Sequence, residues 1–223
     1  MRPPAQLAAL LLLAALPGTA LAQAPSPTPP ASPVSPASPA SPAPPAVPAT
    51  RTFAKGKLIP KVFCTVEKGE SYALYIPRSY RPGRPTPILY ILDARGRAEL
   101  PAKLFLAGAE KYGYLVASSY QSASDGPVGP TVHAMQAMWN DTHRLFAVDD
   151  RRLYVAGFSG TVRAACFMGL SAPGSLTGVI GAGAGFPYER QPTATTPFLF
   201  FGTVGERDFN WDEMQTLESR LTG

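Results

Sequence analysis

Arg152-Leu153-Tyr154-Val155-Ala156-Gly157-Phe158-Ser159-Gly160-Thr161-Val162-Arg163 changes its pattern at a single residue. Arg152 to Ala156 is a short β-prone run, Val162 to Leu170 has helical spacing, and Gly-Phe-Ser-Gly joins them. A serine hydroxyl is a weak nucleophile unless a base takes its proton and the backbone presents it clear of its neighbours. A sharp strand-to-helix turn does the second job, and only small flanking residues tolerate it. Gly157 and Gly160 flank Ser159 in that way, which singles out Ser159 as the candidate nucleophile. The usual pattern is G-x-S-x-G, and Thr161 stands where its last glycine belongs. A β-branched residue there predicts a slightly wider approach of helix to strand.

Outward from this turn, short apolar runs alternate with helical patterns, which predicts an α/β fold with a mostly parallel central sheet covered by crossover helices. Lys61–Val66 and Ser71–Ile76, joined by the turn-like Lys68-Gly69-Glu70, predict an N-terminal antiparallel hairpin. Ile88–Leu92 is a continuous apolar run of the kind a strand buried on both faces requires. A helix over Pro101–Lys111, a strand over Tyr114–Ser118 and a helix over Thr131–Phe146 precede the serine turn. Strands over Gly178–Gly181 and Phe198–Phe201 and a helix over Glu213–Leu221 follow it.

With these residues in view a family is recognisable. The segment from Arg152 to Arg163 resembles the nucleophile segment of bacterial α/β-hydrolases of the polyhydroxybutyrate-depolymerase-like and feruloyl-esterase-like kind. Ser71-Tyr72-Ala73-Leu74-Tyr75-Ile76-Pro77 resembles the strand that precedes their central sheet. The resemblance spans most of Lys61 to Leu221, is specific for the superfamily and says little about substrate. It implies the α/β-hydrolase fold and an ester hydrolase working through an acyl-enzyme on Ser159, without cofactor or metal, on a small-molecule or polymer ester.

That fold uses the chain order Ser, acid, His. The resemblance puts the acid in the loop Gly202–Asn210, at Asp208, with Glu206 as the alternative. An oxyanion hole needs backbone N–H donors. Gly160 is one; the resemblance places the other at Arg95, with Ala94 as the alternative, and Asp93 stands where many relatives have His. The base is the difficulty. His133 and His143 both precede Ser159, on the helix read over Thr131–Phe146, where they serve as surface or packing residues. Two expectations follow: a truncated reading of a longer hydrolase, with the C-terminal strand, helix and histidine missing, or a short protein without catalysis, a binding or scaffold protein on the same fold. A missing last strand would leave a sheet edge and an apolar face uncovered.

The front of the chain has a different character. Residues 1–24 carry Arg2, an apolar stretch Leu7–Leu16 and the small-residue sites Ala20-Leu21-Ala22 and Ala22-Gln23-Ala24, which read as a secretory signal. About ten apolar residues fall short of the roughly 20 a membrane-spanning helix needs, so no stable membrane insertion is expected after cleavage, and the mature protein is secreted or periplasmic. Residues 25–50 are almost wholly Pro, Ser, Ala and Thr and predict a disordered spacer; residues 51–223 are the hydrolase domain. The formal charge is +5, but no run of positive residues marks a nucleic-acid footprint. Val179-Ile180-Gly181-Ala182-Gly183-Ala184-Gly185 lacks the third glycine and the following helix of a dinucleotide site. Two histidines ten residues apart on one helix match no metal-ligand spacing. Cys64 and Cys166 permit one disulfide in an oxidising compartment and equally suit two buried thiols.

Overall fold

The computed structural model describes residues 51–124 and 126–222; the secretory signal and the Pro-rich spacer read over residues 1–50 lie outside the described residues. Seven strands form one sheet. β1 (Leu58–Phe63) and β2 (Ser71–Tyr75) make the antiparallel hairpin, and β2 pairs antiparallel with β4 (Leu115–Ser119). β3 (Thr86–Leu92), β5 (Val148–Phe158), β6 (Gly178–Ala182) and β7 (Leu199–Thr203) continue the sheet in parallel, in the spatial order β1-β2-β4-β3-β5-β6-β7. Every residue of β3 and β4 is buried, as a strand covered on both faces demands.

Four helices cover the sheet: α1 (Glu99–Tyr112), α2 (Val128–Leu145), α3 (Gly160–Ser171) and α4 (Trp211–Thr222). α2, α3 and α4 share one core with Tyr72, Tyr90, Leu92 and Val155 of the sheet. α1 buries Ala102 and Ala109 against Leu89, Ile91 and Val116 on the opposite face. On that second face Leu199 and Phe201 of β7 stand 71% and 64% exposed.

Boundaries moved for identifiable reasons. The first strand ends at Phe63, three residues before the expected Val66, because the Thr65 amide turns away to donate to Asp141 Oδ1 at 2.8 Å. α2 starts at Val128 because Pro130 sits in its first turn, where a missing N–H breaks no helical hydrogen bond. β5 begins at Val148, opposite Thr86, four residues before the run read from Arg152. Cys64 and Cys166 are both free and buried, so no disulfide joins them; burial pushes the Cys64 thiol up to about 12 and raises that of Cys166 as well.

Candidate active site

β5 delivers the chain to the carboxyl edge of the sheet, and Ser159 is the residue that turns it into α3. Its φ is 57° and its ψ −134°, the one positive φ at a non-glycine position among the described residues. Such a backbone costs roughly 1–3 kcal/mol and persists only where its surroundings over-determine it. Here the Ser159 amide donates to Ala182 O at 2.8 Å, and the Ser159 carbonyl accepts from the Val162 amide at 2.9 Å. The flanking glycines leave no room for substitution. A Cβ on Gly157 would sit 2.7 Å from Val162 N, and one on Gly160 would sit 2.7 Å from Ser124 O.

Thr161 is built into the turn by its hydroxyl. It is fully buried, its hydroxyl lies 2.6 Å from Leu92 O and 2.9 Å from Phe158 O, and it accepts the Phe158 amide at 2.9 Å. The side chain ties the ends of β3 and β5 to the first turn of α3 in place of a missing glycine.

The loops after β3 and β4 lean on this turn. Ser122 Oγ donates to Asp93 O at 2.9 Å, and the Ser124 amide donates to Ala94 O at 2.9 Å. The reading of Arg95 as an oxyanion donor needs correction, because its amide already donates to Asp93 Oδ1 at 2.9 Å. Nor does its side chain pair with Asp93; that partner is Arg97, with Nε 2.9 Å from Oδ1 and Nη2 2.9 Å from Oδ2. Burial alone would raise the Asp93 carboxyl, but the Arg97 side chain and the amides of Arg97 and Arg95 together hold it below the usual carboxylate range. Gly160 opens α3, where the first amides have no intrahelical acceptor and the helix dipole favours negative charge.

Asp208 follows β7 and precedes α4. Its Oδ1 accepts the Asn210 amide at 2.9 Å, an Asx turn, and Asn210 Nδ2 donates to Gly183 O at 2.6 Å. Oδ2 accepts no hydrogen bond among the described residues and would lie 3.1 Å from a Cβ on Gly183, whose φ is +68°. Only glycine satisfies that backbone and leaves the carboxylate its place. Gly183 directly follows Ala182, the acceptor of the Ser159 amide, so the carboxylate and the serine share one edge of the sheet. No hydrogen bond joins the two among the described residues, so a triad needs a third group between them. Glu206 is exposed and holds nothing among the described residues.

Neither histidine is that group. His143 Nδ1 lies 2.8 Å from Trp139 O and Nε2 lies 2.8 Å from Asp150 Oδ1. Asp150 is near the start of β5, nine residues before Ser159 and roughly 30 Å along an extended strand. His133 pairs with Glu70 at 3.1 Å, at the entry to β2, three strands from β5 and so roughly 14 Å to the side.

Sequence reasoning missed a network that anchors the loop carrying Asp208. Arg163 Nη1 donates to Glu213 Oε1 at 2.7 Å and to Phe186 O at 2.6 Å, and Nη2 donates to Glu213 Oε2 at 2.6 Å and Asn210 Oδ1 at 3.4 Å. Tyr188 stacks on the guanidinium with the ring centroid 4.1 Å away. The D-x-N spacing of Asp208 and Asn210 was a readable turn signal; the partnership of Arg163 with Glu213, 50 residues on, had none. Beside the turn opens a cleft of about 300 Å³, lined by Ser124, Gly160, Ala164, Phe167 and Tyr188 among others.

The seven-stranded sheet with its covering helices is an architecture that solved structures share. A feruloyl esterase module from Clostridium thermocellum, complexed with sinapinate, superposes with a TM-score of 0.56 at 10% identity, over 75% of this chain and 73% of that one. S-formylglutathione hydrolase from Staphylococcus aureus gives 0.55 at 10% identity, over 75% and 85%. Est1E from Butyrivibrio proteoclasticus gives 0.51 at 10%, over 74% and 85%. The chain has the α/β-hydrolase fold. No protein-family model matches it, and no curated protein sequence does. In the α/β-hydrolase fold the carboxyl edge of the sheet carries the nucleophile turn, and here Ser159, Gly160, Asp208 and the cleft all gather at that edge.

Proposed function

We propose that this protein is an exported serine hydrolase that cleaves carboxylic esters through an acyl-enzyme on Ser159. The observation that carries the reading is the strained φ at Ser159, held by Ala182 and Val162 in a turn where neither Gly157 nor Gly160 leaves room for a Cβ. In the proposed reaction Ser159 Oγ bonds to the acyl carbon as its proton passes to an imidazole base, a role that neither His133 nor His143 fills; the carbonyl pair moves onto oxygen and returns, the ester C–O bond breaks, and the proton goes to the departing alkoxide. Water then repeats the sequence on the acyl-enzyme. The oxyanion is received by the Gly160 amide and, since the Arg95 amide is committed to Asp93, by that of Ala94. Asp208 Oδ2 orients the base and stabilises its charged form. Secretion, or release to the periplasm, follows from the signal read over residues 1–24, and the substrate is a small or polymeric ester.

The positions of His133 and His143 favour a second reading, a binding or scaffold protein on the same fold. A fluorophosphonate probe separates the two, applied with and without added imidazole as a diffusible base. The hydrolase reading expects slow labelling that imidazole accelerates and that Ser159→Ala abolishes. Folded protein that stays unlabelled in imidazole, or labels equally as Ser159→Ala, establishes the scaffold.

A further inference from the structure

The cations that lie dispersed along the sequence are brought together at the end of the sheet opposite Ser159. A second cleft of about 280 Å³ opens beside the starts of β3 and β4 and is lined by Arg81, Arg84, Lys111 and Arg152 with a single carboxylate, Glu110. They come from the β2–β3 loop, the last turn of α1 and the start of β5. Glu110 is spent: its Oε2 accepts the Tyr75 hydroxyl at 2.5 Å and the Arg78 amide at 3.1 Å, and its Oε1 lies 3.4 Å from Arg78 Nη1. Arg152 pairs with Asp149 at 2.8 Å. Arg81, Arg84 and Lys111 have no carboxylate partner among the described residues.

The rim that holds these charges is built. Arg81 Nη1 donates to Arg78 O at 3.1 Å and Tyr80 O at 3.0 Å, the Arg84 amide donates to Arg81 O at 3.1 Å, and Thr86 Oγ1 donates to Arg84 O at 2.9 Å. Lys55 Nζ donates to Tyr80 O at 2.9 Å and adds a further cation to the same loop. Like charges crowded on an ordered loop without carboxylates repel one another, and an anion relieves that repulsion. The dipole of α1 ends here and opposes an anion, but it amounts to half a charge, against three unpaired cations. Guanidinium groups match the paired oxygens of a phosphate.

We propose that this cleft is a binding site for a phosphate-bearing anion, either a free phosphate compound or the headgroup of an anionic lipid. It shares no residue with the Ser159 edge, so it stands or falls separately from the hydrolase reading.

The test titrates the folded protein with inorganic pyrophosphate by calorimetry and, in parallel, sediments it with phosphatidylcholine vesicles with and without phosphatidic acid. Arg84→Gln with Lys111→Gln is compared with Lys57→Gln and Lys68→Gln, exposed positions outside the cleft that remove the same charge. Binding is expected to weaken at least tenfold in the cleft variant and less than threefold in the control. Binding of pyrophosphate alone identifies a soluble ligand, and sedimentation only with phosphatidic acid identifies a lipid headgroup; either supports the site. No binding in both arms, or equal weakening in the two variants, overturns it.

Discussion

Thr161 shows how a departure from a pattern is accommodated by a few atoms. Its hydroxyl serves Leu92 O, Phe158 O and the Phe158 amide inside a fully buried site. Thr161→Val keeps the volume and leaves those groups unsatisfied, so a loss of about 2–3 kcal/mol is expected in urea unfolding, while Thr161→Ser loses less than about 1 kcal/mol. Strain at Ser159 makes a second prediction. Both Ser159→Ala and Ser159→Gly remove the hydroxyl, but only glycine is at ease at φ 57°. The glycine variant is therefore expected to be more stable than the alanine variant by about 1 kcal/mol. Equal thermal midpoints for the two would show that the turn carries no strain.

At the scale of elements, α3 divides its faces between two tasks. Val162, Ala165 and Cys166 enter the core, while Gly160, Ala164 and Phe167 line the cleft beside the serine. Arg163 lies between, and its pair with Glu213, with side chains 16% and 21% exposed, fastens α3 to α4 and to the loop that carries Asp208. Removing one member leaves a largely desolvated charge without its partner. Arg163→Met and Glu213→Gln are each expected to destabilise by about 2 kcal/mol, and the double variant by less than their sum, with a coupling of about 1–2 kcal/mol in a double-mutant cycle. Strict additivity would show that the pair does not join the two helices.

For the whole molecule, acid should be the destabilising direction. Asp93 is held below its ordinary value as described above, Glu110 chiefly by the Tyr75 hydroxyl, and Asp149 chiefly by the Arg152 side chain. A carboxylate depressed in the folded state takes up its proton more readily in the unfolded chain. Its stabilisation is therefore complete above the ordinary carboxylate range, about pH 4, and is lost as the pH falls through the lower folded value. Unfolding by urea between pH 6 and pH 3 is expected to show stability decreasing toward acid, and Asp93→Asn should show a shallower decrease. An unchanged slope in that variant would mean that Asp93 does not contribute.

What the sequence determined by itself was local. The period change at Ser159, the apolar run of β3 and the turn signals between runs specify strands and helices through nearest neighbours along the chain, and with them the α/β class, the hairpin and the tight turn at Ser159. Asp208 was singled out through the family resemblance and not from spacing. Only the tertiary structure showed that the Arg95 amide is taken by Asp93, that Thr161 bonds Leu92 from 69 residues away, that Arg163 meets Glu213, and that Arg81, Arg84, Lys111 and Arg152 share one cleft. Each of these turns on where a hydrogen bond or a charge finds its partner. Apart from the bond between Arg95 and Asp93, which are two residues apart, these partners are chosen by the packing of distant segments, and one-dimensional spacing carries no record of that choice.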